Sequence, residues 1–392
     1  MSEGPMRIIH VASSLRAPLG GAELYCVELA IAQARVADVA VATPLVDEAT
    51  RARLEGAGVR VDVRPVWRPY PSDGRGPNPA ARALFHALDA WGAVRAPQGY
   101  RRGELDADVV HVHRFQGVGA GVLRAPPGRP VLHTVHDYAL VDTRATGARG
   151  GAAVDRLGAL QRARTALHSR AAAQASLLIF PSVRTRDRNL ALGLDVPGER
   201  VAVIPHGWPW SSRHQGGRRD GGLLFLGKLS ERKGVAELLE AWDGGIGDAR
   251  LAIAGAGPLE GLVREADGGV TALGWLDGAA KEEAVAHALA LVMPSTWPEN
   301  FPLVTAEAML AGTPVLTNAL AAGPLIEDGV NGLVAPDPSP AALRAVLTRF
   351  LADPGLQARL AAGARATAAQ LDMDAHVEVL LDRYREALGV EA

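Results

Sequence analysis

At 392 residues the chain is long enough for two α/β domains, each with its own core. Lys and Arg number 41 against 43 Asp and Glu, so there is no net basic field of the kind that binds nucleic acid wholesale. No apolar stretch reaches the ~18–20 residues of a membrane span, no N-terminal apolar segment precedes a small-residue cleavage site, and a lone cysteine, Cys26, has no internal disulfide partner. Together these predict a cytoplasmic protein with no transmembrane span and a buried, structural Cys26.

In chain order, short Val- and Ile-rich runs alternate with longer Ala/Leu-rich segments that carry charges. The runs are 7–11, 36–43, 59–63, 109–113, 131–135, 177–180 and 201–204, then 222–226, 251–254, 270–273, 291–293, 313–317 and 332–334. Fully apolar runs bounded by turn residues suit parallel strands buried on both faces. Their alternation with helical segments predicts α/β architecture with doubly wound sheets. A Gly-, Pro- and charge-rich stretch at 208–221 separates the two series and reads as a linker and natural hinge. The expected division is an N-terminal domain over 1–208, a C-terminal domain over 209–370, and a final helix over 371–392 that either caps the second domain or crosses back to the first. Two insertions interrupt the first series: 66–105, rich in Pro, Gly and Arg, and 142–170, with Arg144, Arg149, Arg156, Arg162, Arg164 and Arg170 against Asp142 and Asp155.

Five stretches carry chemistry. After the first strand, Gly20-Gly21 lets a backbone come close to a ligand at a helix start, or simply makes a strand-to-helix turn. His113 and His136 close two strands, where a histidine contacts a sugar hydroxyl or sits satisfied in the core. Gly227-Lys228 through Lys233-Gly234 follows a strand and opens a helix, placing two compact cations where a diphosphate would lie, or merely a solvated loop. Gly255-Ala-Gly257 is a further strand-to-glycine turn near a nucleobase position, and Trp275 reads as a buried tryptophan, with base stacking the alternative. Glu299 and Glu307 flank Asn300-Phe301-Pro302-Leu303-Val304. Pro302 suits the first turn of a helix, and Gly312 suits its end. A helix N-terminus after a strand offers bare N–H groups and a positive dipole end to an anion. Two solvated acids beside a helix cap are the alternative. Among sequence spacings none is that of a zinc site, a P-loop or a nucleophile elbow.

The order of these motifs resembles retaining glycosyltransferase family 4, of the GT-B fold: two Rossmann-like domains facing each other across a cleft. The resemblance covers nearly the whole chain. It is densest at Gly227-Lys228, Lys233-Gly234, Ala254-Gly-Ala-Gly-Pro258, Glu299 through Glu307, Ala311-Gly312-Thr-Pro-Val315 and Asp328-Gly-Val-Asn-Gly332. Gly20-Gly21-Ala22-Glu23, His136-Asp137, Pro181-Ser182 and Ile204-Pro-His206-Gly207 add to it from the first half.

The resemblance implies that Glu307 binds the ribose of a nucleotide and Glu299 the transferred sugar. The backbone of Asn300, Phe301, Pro302, Leu303 and Val304 would touch sugar and diphosphate, with Lys228 and Lys233 holding the diphosphate. Gly20 and Gly21 would close on it from the first domain, and His136 would approach the reacting carbon. His136, Glu299 and Lys233 are thus the expected catalytic residues. The implied reaction is metal-independent transfer from a nucleoside-diphosphate sugar, of UDP or GDP type, with no cofactor. The acceptor would be a small molecule, glycan or lipid-linked hydroxyl in carbohydrate or natural-product biosynthesis. The chain departs from the family pattern at Lys228, where Arg is common, and at Ala256, Pro324 and His206. Alternatives within the fold are a sugar-nucleotide epimerase or hydrolase, or a non-catalytic binder. Peripheral membrane contact through 142–170 and Arg101-Arg102 is a further expectation, with a solvated basic face as its alternative.

Overall fold

A computed structural model describes residues 4–390 apart from 73, 75, 102, 146, 150, 151, 155 and 211–220. The chain divides into two compact units, Met1–Gly147 with Val154–Gly207 and Met373–Ala392, and Ala148–Ala153 with Trp208–Asp372. Arg102, Asp155 and most of the predicted linker lie outside the described residues.

The first unit is built on strands β1 (Arg7–Val11), β2 (Asp38–Thr43), β3 (Arg60–Val63), β4 (Val109–Val112) and β5 (Val131–Thr134). In chain order, the short antiparallel pair β6 (Ala148–Arg149) and β7 (Ala152–Ala153), which groups with the second unit, precedes the first unit's β8 (Leu177–Phe180) and β9 (Val201–Val203). The main sheet runs β3-β2-β1-β4-β5-β8-β9, all parallel. Helices α1 (Gly21–Gln33), α2 (Glu48–Gly56), α3 (Pro79–Val94), α4 (Ala159–Ala172) and α5 (Val183–Ala191) connect the strands.

The second unit contains β10 (Leu223–Leu226), α6 (Val235–Trp242), β11 (Leu251–Ala254), α7 (Glu260–Arg264), β12 (Val270–Gly274), α8 (Gly278–His287), β13 (Ala290–Met293), α9 (Leu303–Leu310), β14 (Val315–Asn318) and β15 (Gly332–Ala335). Helices α10 (Pro340–Ala352) and α11 (Pro354–Ala368) complete it. Its parallel sheet runs β12-β11-β10-β13-β14-β15. The last helix, α12 (Met373–Leu388), belongs to the first unit and packs on α1.

Both sheets are doubly wound: the chain steps outward in one direction from β1 and β10, then in the other from β4 and β13. Each apolar run in the sequence is a strand. The central strands β4 and β13 are buried throughout, whereas the edge strands β3 and β12 are half-buried to exposed, because a sheet edge is covered on fewer sides. Insertion 66–105 is more ordered than its Pro and Gly content suggested. Asn78 caps α3 by accepting from Ala81 N at 2.8 Å, and Pro79 follows at the first helical position. Among the described residues no helix is long and apolar enough to cross a membrane.

Candidate active site

In a doubly wound sheet, ligands collect beyond the carboxyl ends of the strands where the winding reverses. In the second unit that point lies between β10 and β13, and the loops that follow these two strands carry Lys228, Lys233 and Glu299. The loops are tied together. Thr296 N donates to Arg232 O at 3.0 Å, and Gly234, at φ 70°, lies so close to Pro294 O that a Cβ would collide with it. Glu299 is 5% exposed, and its Oε1 accepts from Lys233 Nζ at 2.7 Å, Ser295 Oγ at 2.8 Å and Trp297 Nε1 at 2.8 Å. Lys233 also lies 5.7 Å from the centre of the Trp297 ring. Lys233 therefore reaches the acid rather than standing apart from it, while Lys228 is exposed.

From β14, Thr317 Oγ1 donates to Met293 O at 2.8 Å and Asn318 Nδ2 to Ser295 O at 3.1 Å, which holds the β13 loop in place. Asn300 and Phe301 are buried at its end. Pro302 precedes the first residue of α9 as its N-cap, and Leu303 and Val304 open the helix half-buried. Their N–H groups are among those with no carbonyl one turn back. The helix ends as expected: Gly312 N bonds Met309 O at 2.8 Å and Thr313 N bonds Ala308 O at 2.7 Å, the paired bonds of a left-handed glycine stop.

Glu307, inside α9, is 2% exposed. Burial raises its carboxyl above the usual range, opposed by Lys281, whose Nζ donates at 2.5 Å, and by the Trp208 side chain. Lys281 and Trp208 had no local signal. Lys281 lies on α8, and Trp208 was read as linker; instead it is buried and its N bonds Leu371 O at 2.9 Å.

The glycine turn after β11 has a structural reason. Gly255 (φ 148°) and Gly257 (φ 155°) pass so close to Gly227 O and Leu229 O that side chains would not fit. Trp275 is 58% exposed, not buried, because the adjoining strand β12 is the exposed sheet edge.

In the first unit Gly20 caps α1 and Gly21 begins it, directly after the β1 loop. Glu23, in the first turn, pairs with Arg114. His136 follows β5, half-buried. Burial, then His133 and Arg114, lowers it to about 3. His113 is fully built into a polar core, between His10 and His136. His206 stacks on Tyr25 with ring centres 3.9 Å apart. The nitrogens of His10, His111 and His113 lie within 4.8 Å of one another, a metal-competent spacing that sequence separation concealed. Their ring nitrogens are engaged, however, with Gln33, Tyr384, Thr134, His136 and each other. In the Arg-rich insertion, Arg144, Arg156, Arg162 and Arg170 are exposed, but Arg164 is buried. Its Nη2 reaches Asp89 at 3.4 Å and Ala139 O at 2.9 Å, so this arginine is core rather than solvated face.

Residues 19–208 match the profile described as Glycosyltransferase Family 4, and residues 220–353 the one described as Glycosyl transferases group 1. The D-inositol 3-phosphate glycosyltransferase of Frankia alni is 32% identical over 76% of this chain and 78% of its own. That of Xylanimonas cellulosilytica is 28% identical over 94% and 92%. The phosphatidyl-myo-inositol mannosyltransferase of Mycobacterium leprae is 38% identical over 37% and 41%. Among solved structures, Anabaena HepE in complex with UDP superposes with a TM-score of 0.69 at 18% identity, covering 97% of this chain and 100% of that one. Sucrose-phosphate synthase from Thermosynechococcus elongatus gives 0.70 at 19% over 98% and 99%. The chain belongs to glycosyltransferase family 4. It is a glycosyltransferase whose two Rossmann-like domains are those of the GT-B fold.

Proposed function

We propose that the protein transfers a sugar from a nucleoside-diphosphate donor, of UDP or GDP type, to an acceptor hydroxyl with retention of anomeric configuration and without a divalent metal. The observation that carries this reading is the Lys233–Glu299 pair at the reversal point of the second sheet, beside the N-terminus of α9. Glu307 would accept from the ribose hydroxyls through the capacity its Lys281 bond leaves over, since a carboxylate has about four acceptor positions. Glu299 would meet hydroxyls of the sugar. Lys228, Lys233 and the N–H groups over 300–304 would neutralise the diphosphate as it leaves, in place of a metal. Gly20, Gly21 and His136 take their donor-side roles from the family resemblance.

Retention follows if cleavage of the C1–O bond runs ahead of attack. The acceptor oxygen bonds C1 on the face the phosphate has just left, and its proton passes to the departing phosphate oxygen. A covalent glycosyl-enzyme is the competing route. For the acceptor, relatives named for inositol 3-phosphate favour testing phosphorylated polyols first, and HepE in complex with UDP and UDP-glucose favours uridine donors.

The test is a thermal-shift screen with UDP, GDP, ADP and dTDP and their sugars, followed by NMR of the product's anomeric carbon. Stabilisation by one nucleotide class, lost in Glu307→Ala, supports the reading. No stabilisation by any of them, or an inverted product, refutes it.

A further inference from the structure

In the first unit the strand register sets His10 on β1 beside His111 on β4. The two-residue period of a strand brings His113 to the same face. A continuous string of bonds results. Gln33 Oε1 meets His10 Nε2 at 2.9 Å, His10 Nδ1 meets His113 Nε2 at 2.8 Å, and His113 Nδ1 meets His136 Nε2 at 3.3 Å. Burial keeps these rings neutral: His10 is lowered to about 4, His136 to about 3, and His113 well below the usual imidazole value.

A neutral imidazole has one donor nitrogen and one acceptor. In a string of such rings each tautomer is therefore dictated by its neighbour, and the string takes its polarity from its end. That end is Gln33, the last residue of α1, whose amide nitrogen donates to Tyr384 Oη of α12 at 3.2 Å. Tyr384 in turn bonds His111 Nδ1 at 2.6 Å, and His111 Nε2 bonds Thr134 Oγ1 at 2.7 Å. With its nitrogen held by Tyr384, Gln33 turns its carbonyl oxygen to His10, and an oxygen only accepts. His10 must then carry its proton on Nε2 and accept at Nδ1. His113 must do the same, and so must His136.

We propose that Gln33, His10 and His113 are positioning residues that hold His136 in the tautomer protonated at Nε2, so that its Nδ1 acts as an acceptor toward a hydroxyl of the sugar substrate. The functional half rests on the reading that His136 meets that sugar. The tautomer half stands on the hydrogen bonds alone.

The test is long-range proton–nitrogen NMR on protein labelled with 15N-histidine, which distinguishes Nε2–H from Nδ1–H for each ring. In the unaltered protein His10, His113 and His136 should all be Nε2–H. His133 is an internal control of opposite sense, because its Nδ1 donates to Val112 O at 2.8 Å. In Gln33→Leu the three rings should lose their single tautomer while His133 stays unchanged. Turnover should fall roughly fivefold with donor KM within about twofold, the effect of one hydrogen bond's bias. Gln33→Glu, at a pH where its carboxylate is ionised and can only accept, should restore Nε2–H and most of the turnover. Tyr384→Phe, which frees the Gln33 amide, should give a weaker form of the same loss and serves if Gln33→Leu does not fold.

Nδ1–H at the three rings in the unaltered protein, or unchanged tautomers in both Gln33→Leu and Tyr384→Phe, overturns the relay. So does one equivalent of zinc bound with shifts at His10, His111 and His113, since a metal would take the nitrogens the relay uses. Full activity in His136→Ala with the tautomer pattern intact removes the functional half and the sugar-contact reading together.

Discussion

Replacing Lys281 with methionine should destabilise the second unit in a way that grows with pH. Lys281 Nζ donates at 2.5 Å to a Glu307 carboxylate that is 2% exposed, so removing the amine leaves a buried charge with less compensation. Breaking a fully buried pair costs about 3–5 kcal/mol. Here the Lys281 side chain is 23% exposed and the Trp208 side chain still bonds the carboxylate, which brings the expected cost to about 2 kcal/mol at pH 8. For a unit of this size that is a fall in Tm of about 4–8 °C.

The pH dependence has a definite sign. Burial raises the Glu307 carboxyl in the folded state above the ordinary value of 4.5, so the folded protein binds the extra proton and stability declines as pH rises through that window. Lys281 opposes the rise, and its loss extends the window upward. The Tm deficit should therefore be smaller at pH 5 than at pH 8, because the protonated form of the carboxyl loses less when the amine is removed. Differential scanning fluorimetry across that range measures it, and the double variant Lys281→Met with Glu307→Gln should lose the dependence. Equal deficits at pH 5 and pH 8 would refute the argument and assign Lys281 a packing role.

Three further outcomes are expected. Gly255→Ala, at φ 148° against Gly227 O, should cost more than about 2 kcal/mol in urea unfolding, whereas Gly261→Ala, in a helix with open space around it, should be neutral or stabilising by up to about 1 kcal/mol. Asp89→Ala should cost about 3–5 kcal/mol by leaving the Arg164 charge buried, a loss that Asp89→Leu with Arg164→Leu should largely recover; thermal unfolding of both variants tests it. Lys233→Ala should lower turnover by about 10²-fold, with a fall in Tm no larger than that of Lys281→Met because Ser295 and Trp297 still hold Glu299, and turnover of the unaltered protein should survive EDTA; metal-dependent turnover would remove the cation role given to Lys228 and Lys233.

Much of the architecture was legible because it depends on local pattern. Runs such as 251–254 and 177–180 are apolar throughout, as only strands buried on both faces need to be, and their alternation with helices implied parallel, doubly wound sheets. Gly312 at the end of α9 and the glycines at the start of α1 were legible for the same reason: turn geometry is a property of a few neighbouring residues. The helix in insertion 66–105 left a cap signature, Asn78-Pro79, that the surrounding Pro and Gly residues obscured. Trp275 is exposed although a large aromatic usually seeks a core, because its place beside an edge strand depends on which strand the chain lays down last on that side.

The sequence by itself determined the class of protein, the positions of its strands along the chain and the two acids, two lysines and glycine turns of the candidate donor site, because these lie in short contiguous stretches. Tertiary structure alone decided what those groups touch. Glu299 shares one oxygen among Lys233, Ser295 and Trp297, Glu307 is held by Lys281 from another helix, and histidines on β1 and just after β4 and β5 join Gln33 and Tyr384 in one string of bonds. The physical reason is burial. A charge or imidazole taken out of water must find partners wherever the fold brings them, and strand register and helix packing, not sequence separation, choose which ones arrive.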